Sequence, residues 1–266
     1  MTEEHWQLQL VNKSLKKKEK LKLLKKHLEV KPNSVILDLG CAQGILSYFL
    51  RKKGGSWISA DQDFVNLKTS QEILKKNLIQ TGAGVLPFKN ASFDMVVSLD
   101  YLEHLEDDQL CLEEIHRVLK KGGHLIIATP RTGKIYLLHR LRPLLGMKLE
   151  FYGHKREGYS YKDLKAKLEE AQLQFVKYKT FSRFFAEFIE LILNSLYVRF
   201  FSSEGSYSLR DGHIRPSTAE EFSSRKKAFK FYAFIYPFVW LFTRLDKLFF
   251  FQRGYGLIIW AKKPEI

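Results

Sequence analysis

Hydrophobic and polar positions alternate along this chain in two different rhythms. Short apolar runs of four to seven residues recur at Val35–Leu39, Trp57–Ala60, Asp94–Leu99, His124–Pro130, Gln174–Thr180 and Gly256–Lys262. Between them lie segments with helical spacing, such as the amphipathic stretch from Asp108 to Lys120 and one from Ser160, a capping residue, to Ala171. Buried strands alternating with helices predict a parallel sheet covered on both faces. The joints are specific. The run Val-Ile-Leu-Asp-Leu ends at a Gly40-Cys41-Ala42-Gln43-Gly44 turn, and a helical apolar pattern starts at once. A strand feeding a glycine turn that opens a helix lets backbone approach a ligand and aims helix N–H groups at a polar group. The next strand ends at Asp61, about 20 residues past the glycines, where a carboxylate usually holds a nucleotide ribose.

The turn is not a dinucleotide fingerprint, because Ala42 stands where the middle glycine would be. Asp-Leu-Gly-Cys-Ala-Gln-Gly instead resembles the first motif of class I S-adenosylmethionine-dependent methyltransferases. Downstream, Leu86-Pro-Phe, Ser92-Phe-Asp, Leu102-Glu-His-Leu and Leu119-Lys-Lys-Gly-Gly follow in the order of the type 11 methyltransferases, which include the quinone-biosynthesis enzymes. The resemblance covers roughly residues 30–130. It implies a doubly wound, mostly parallel, seven-stranded Rossmann-like sheet, and S-adenosylmethionine as cofactor. The implied cofactor residues are Asp38, Gly40, Cys41, Ala42, Gly44, Asp61, Gln62, Ala83 and Asp100. Asp61 would accept hydrogen bonds from the ribose hydroxyls, and Asp100 would stand near the sulfonium. Gly82 departs from relatives that carry an adenine-reading Asp there. The adenine would then be held by backbone groups and Leu86, or bound more weakly.

Other acidic residues and histidines carry simpler expectations. Asp94 reads as a strand-entry turn residue, Asp63 as a helix cap, Glu113 and Glu114 as a solvated helix face, and His116 and His124 as structural. A proton acceptor near neutral pH is most naturally a histidine. Three could reach the substrate mouth: His104, His154 and His213. His154 and His104 are the expected catalytic residues, with Tyr101, Arg156 and Tyr159 on the substrate side.

Composition narrows the partners. The chain carries 44 Lys and Arg against 29 Asp and Glu, a net charge of +15, which favours a nucleic acid or an anionic membrane surface. Eight lysines crowd residues 13–26, with Leu15, Leu21, Leu24 and Leu28 at helical spacing. This segment is either a solvated helix packed on the domain or a basic helix lying on lipid. The two cysteines, Cys41 and Cys111, suggest no disulfide, and no Cys/His cluster has ligand spacing, so no metal is expected.

The C-terminal third departs from the simple pattern. A basic helix is expected over 133–145. Roughly 75 residues then separate the last two strands, which in this superfamily usually join by a short connection. That insertion is rich in phenylalanine, from Phe184 to Phe201 and from Phe229 to Phe251. Charges and Pro237 interrupt both segments, so neither reads as a spanning helix. The expected organisation is an N-terminal basic helix (1–31), a methyltransferase core (32–180), an aromatic helical insertion or lid (181–253) and a final core strand (254–266). The aromatics suit either a plain lid core or a membrane interface. The leading functional expectation is methyl transfer to a small, apolar or lipid-linked acceptor at a membrane surface. The protein would be cytoplasmic, peripheral on the inner face of the membrane. The rivals are an RNA methyltransferase and a non-catalytic cofactor-binding scaffold. The first lacks an appended RNA-binding module and an Asn-Pro-Pro-Tyr motif; the second rests only on Ala42 and Gly82.

Overall fold

In the computed structural model, residues 5–132, 138, 141–145, 149, 153–201, 219–224, 226–248 and 253–265 are described. Seven strands form one sheet: β1 (Val35–Leu39), β2 (Ser56–Asp61), β3 (Leu78–Gln80), β4 (Phe93–Leu99), β5 (Leu119–Pro130), β6 (Gln174–Phe181) and β7 (Gly256–Lys262). Their order is β3-β2-β1-β4-β5-β7-β6. β1 pairs in parallel with β2 and β4, as do β2 with β3 and β4 with β5, while β7 runs antiparallel to β5. This is the doubly wound sheet expected from the sequence.

The strands are near-continuous apolar runs because both sheet faces are covered. On one face Leu37, Val96, Leu125, Ile127, Leu257 and Ile259 pack in a cluster with Cys111, Leu112, Ile115, Leu164 and Leu168. Those last five come from α5 (Asp108–Val118) and α6 (Tyr161–Glu170). The alternate residues Ile36, Val97, Ile126 and Ile258 are equally buried. Helices α3 (Ile45–Arg51) and α4 (Phe64–Leu74) follow β1 and β2. The caps are those the sequence signals: Asp63 accepts from the Val65 and Asn66 amides, and the Ser160 hydroxyl accepts from the Asp163 amide.

One boundary differs. The helix expected to run to Lys120 stops at Val118, and Leu119-Lys-Lys-Gly-Gly enters β5. An irregularity in the β4–β5 register absorbs the extra residues there. Gly122 and Gly123 exchange backbone hydrogen bonds with Lys263. The Lys-Gly-Gly segment is therefore paired strand rather than free turn.

The chain divides into two compact units. One holds residues 25–133, 154–180 and 256–266, and thus the sheet. The other gathers residues 1–24, 134–153 and 181–255. It contains α1 (Trp6–Lys13), most of α2 (Leu15–His27), α7 (Phe184–Phe201), α8 (Ala219–Ser224) and α9 (Lys226–Thr243), which continues into a 3-10 turn at Arg244–Lys247. The helix expected over 133–145 lies largely outside the described residues.

Within this second unit several lysines of the basic segment are packed rather than free. Lys20 is buried, its ammonium 5.5 Å from the centre of the Phe181 ring. Lys13 and Lys18 stand over Tyr236, and Lys16 lies 3.6 Å from the buried Glu187 carboxylate. Arg142 and the Ser182 hydroxyl also donate to Glu187. Asp246, from the 3-10 turn, accepts from the Phe185 and Ala186 amides at the start of α7. A remote carboxylate thereby satisfies amides that a helix leaves unpaired at its N-terminus. No helix among the described residues is long and apolar enough to cross a membrane.

Candidate functional site

The carboxyl ends of β1, β2, β4 and β5 meet where the strand order reverses on either side of β1, the crevice in which open α/β sheets bind ligands. The glycine turn lines it. Gly40 has φ +78°, and a Cβ there would lie 2.3 Å from Cγ of Tyr101. The Tyr101 ring thus sits directly on the Gly40 backbone. Gly44, with φ +73°, opens α3. Ala42 holds φ +47°, so the residue that breaks the glycine pattern still adopts the left-handed backbone. For a residue with a Cβ this costs about 1–2 kcal/mol.

Asp61 closes the turn from β2. Its Oδ2 accepts from the Ala42 amide at 2.8 Å and its Oδ1 from the Asp63 amide at 3.0 Å. The Asn66 side chain also donates to this carboxylate, and since each oxygen of a carboxylate can accept twice, acceptor capacity remains. Burial pushes the Asp61 carboxyl up from its ordinary value, against the pull of those two amides and of the Asn66 side chain. The Tyr101 hydroxyl is buried without a hydrogen-bond partner, in the field of Asp61 and Cys41. Burial pushes its pKa up as well. A two-oxygen acceptor at the end of β2, a turn open to close approach and an orphaned hydroxyl beside them fit an adenosyl ligand.

Other expected cofactor residues fall differently. Asp38 points into the βαβ layer. It stands opposite Ser59 in the β1–β2 register and accepts from the Ser59 hydroxyl at 2.7 Å, while Arg51 donates to the same hydroxyl. Asp38 therefore braces the turn from β1. Burial raises its pKa. Cys41 is buried, and its amide is held by the Ala60 carbonyl. The Ala83 side chain belongs to the core cluster, which leaves only its backbone for an adenine. The Gln62 carbonyl accepts from the Gln80 side chain. Asp100 is exposed at φ +52°, its amide bonded to the Ala128 carbonyl.

The two expected catalytic histidines come together. His104 ends a 3-10 turn (Leu102–His104) after β4, and His154 follows Gly153. Their rings meet edge to face, 4.7 Å between centroids. The Lys155 amide donates to the Glu103 carbonyl at 2.8 Å, which fastens the two segments. The fully buried Glu103 carboxylate accepts from Thr129, at the end of β5. Glu103, His104 and His154 each offer one ligand-type atom within 4.8 Å of the others. A carboxylate beside two imidazoles can accept and pass a proton near neutral pH. His213 lies outside the described residues.

Arg156 and Tyr159, expected on the substrate side, are both engaged by Asp108. Arg156 donates to Asp108 at 2.6 Å and to the Leu105 and Glu106 carbonyls. The buried Tyr159 hydroxyl donates to the same Asp108, and Lys167 completes the set at 2.8 Å. Their polar atoms are held by one buried anion at the start of α5. They fasten the loop that carries His154 to the start of α5. Tyr101, packed on Gly40, contributes a wall to the crevice.

Glu114, expected on a solvated face, is also structural. It accepts from the Leu86 amide and pairs in bidentate fashion with Arg117, which in turn donates to the Leu86 and Phe88 carbonyls. This pair ties down the Leu-Pro-Phe loop. Asp94 receives the Val35 amide and the Lys120 ammonium, as a strand-entry residue should.

Residues 37–127 match the family model described as a methyltransferase domain, type 11. The ubiquinone biosynthesis O-methyltransferase of Parvibaculum lavamentivorans is 31% identical over 98 residues, 35% of this chain and 39% of that protein. The malonyl-[acyl-carrier protein] O-methyltransferase of Hamiltonella defensa is 31% identical over 126 residues, 46% of this chain and 47% of that protein. The chain spans about two fifths of the length of the curated relatives it matches first. Among solved structures, a methyltransferase-like protein of Bacillus halodurans superposes with a TM-score of 0.58 at 19% identity, covering 92% of this chain and 98% of that one. That likeness concerns the fold.

Proposed function

We propose, from the type 11 methyltransferase domain that residues 37–127 form, that this chain transfers a methyl group from S-adenosylmethionine to a small, apolar or lipid-linked acceptor at a membrane surface. The family uses that cofactor, which when bound supplies an electrophilic sulfonium methyl. The observation that carries the reading is Asp61, held by two amides at the end of β2 with acceptor capacity left for a ribose. Gly40 and Gly44 shape the turn, and Asp61 orients the nucleoside. His104 and His154 take the proton from an acceptor hydroxyl, with Glu103 supporting the imidazolium. Support for the acceptor class comes from two relatives, one named a ubiquinone biosynthesis O-methyltransferase and one a malonyl-[acyl-carrier protein] O-methyltransferase. The net charge of +15 and the aromatic insertion favour an anionic surface.

S-adenosylmethionine should raise the melting temperature by mass action. Asp61→Ala should weaken cofactor binding by about 1–3 kcal/mol, since a buried hydroxyl pair loses its acceptor. Asp61→Asn should lose less. Calorimetry checks both, and a parent whose melting ignores millimolar cofactor sinks the assignment. Incubation with methyl-labelled cofactor, a host lipid extract and host RNA identifies the acceptor class. Label in RNA alone overturns the lipid-linked reading.

His154→Ala and His104→Ala should each leave cofactor affinity intact and reduce transfer to a hydroxyl acceptor by about 10²–10⁴-fold. The loss should shrink as pH rises and the acceptor ionises unaided. Transfer should also persist in a chelator. Activity abolished by chelation and restored by a divalent ion would turn the Glu103–His104–His154 trio into a cation site.

A further inference from the structure

We propose that the outer face of α9 docks on an anionic lipid bilayer, inserting a stripe of aromatic and aliphatic side chains at the headgroup boundary. The inference rests on the membrane-facing reading given above and assigns it to one element and one lipid chemistry. Phe231, Phe234, Phe238, Leu241, Leu245 and Leu248 follow one another at steps of three and four residues, which places them along one face. All six are exposed, by 37–74%. At 1.5 Å per residue the stripe is about 25 Å long. So many large apolar groups aligned on a free surface mark an interaction site.

The opposite face explains why the stripe points outward. Tyr236 is buried under the Lys13 and Lys18 ammoniums, and the Tyr232 hydroxyl donates to the Lys13 carbonyl. Asp246 caps α7. These contacts fix the rotation of the helix, so the phenylalanines are not a core face awaiting a small adjustment.

Charge selects the occupant. Exposed Lys226, Lys227 and Lys230 flank the start of the stripe, and exposed Arg244 and Lys247 flank its end. The segment Lys226–Thr243 contains no Asp or Glu. Arg244 lies 4.1 Å over the exposed Trp240 ring. An apolar band bordered by cations, with Trp and Arg at its margin, matches the acyl–headgroup boundary of an anionic leaflet. A second copy of this chain would bring like charges against like, at a net +15 each. Pro237 and the bordering charges leave a helix that lies in the plane of the interface. Phe188, Ile192 and Leu196 of α7, in the same unit, are also exposed and extend the apolar surface available.

The test uses the full chain with vesicles of phosphatidylcholine, alone or mixed with phosphatidylglycerol, followed by sedimentation. Binding should strengthen at least about tenfold with the anionic lipid and weaken with salt. Lipids brominated in the acyl chain should quench tryptophan emission, and Trp240→Phe should remove that quenching. Joint replacement of Phe231, Phe234, Phe238 and Leu241 by Ser should abolish binding, with cofactor affinity and melting temperature retained. Should that variant fail to fold, joint replacement of Lys226, Lys227 and Lys230 by Gln should remove the preference for anionic vesicles. The proposal is overturned if the serine variant binds like the parent, or if Trp240 is unquenched. It is also overturned if the parent sediments as a dimer that the serine variant converts to monomer. Neither cofactor nor acceptor is needed for this binding, so failure here and failure of the methyl-transfer reading are read separately.

Discussion

Gly40→Ala is expected to destabilise the protein by about 2–5 kcal/mol, the sum of a left-handed backbone and an overpacked contact. At φ +78° an L side chain is strained whatever the space around it. Here the space is also absent, because the new Cβ would lie within 2.6 Å of three Tyr101 atoms. The two contributions separate in a double-mutant cycle with Tyr101→Ala. Removing the ring should leave only the backbone part, about 1–2 kcal/mol. Denaturant melts of the four proteins give the coupling. If Gly40→Ala costs the same with and without Tyr101, the ring does not rest on the glycine and the crevice wall is wrongly placed.

Asp108→Ala should cost about 3–5 kcal/mol, the usual penalty when one partner of a buried ionic set is removed. Arg156, Lys167 and the Tyr159 hydroxyl would all lose their common acceptor. Burial pushes the Asp108 carboxyl up, but hydrogen bonds from Lys167 and Tyr159 and the Arg156 charge outweigh it, and its pKa is net lowered. A carboxyl lowered in the folded state contributes stability above its unfolded value, about 4. That contribution is lost as pH falls through the folded value. The gap between parent and Asp108→Asn should therefore be full at neutral pH and narrow below about pH 4. A gap that persists unchanged into acid would show that the carboxylate charge is not what holds the set. Transfer activity should fall with stability, because the loop that Arg156 fastens carries His154.

Where the sequence could be read directly, the physics is local. A strand, a glycine turn and a helix declare themselves within fifteen residues, and Asp63 and Ser160 cap helices that start beside them. The sheet follows from the alternation of apolar runs. Less legible are the residues whose partners lie far along the chain. Arg156 and Tyr159 find their common partner in Asp108, 48 and 51 positions away. Glu114 looks solvated on a helical wheel until Leu86, 28 residues upstream, brings its amide. The lysine-rich helix was legible only as two alternatives. Its charge count suggests a surface, while Lys16 and Lys20 are held by Glu187 and Phe181. The meeting of His104 with His154 has no local signature, although both were candidates by type and position.

The order of the strands also bears on how the chain acquires its structure. β7 is last in sequence yet lies between β5 and β6. β6 therefore has no neighbour to pair with until residue 262 exists. The helical unit likewise draws on residues 1–24, 134–153 and 181–255, so its first helices wait for partners made some two hundred residues later. Such distant pairings slow folding, because chain entropy is lost before the contacts that offset it form. During synthesis the aromatic helices and an unpaired β6 edge would be exposed together. That period of incomplete assembly, rather than the finished fold, is when this chain is most prone to aggregate.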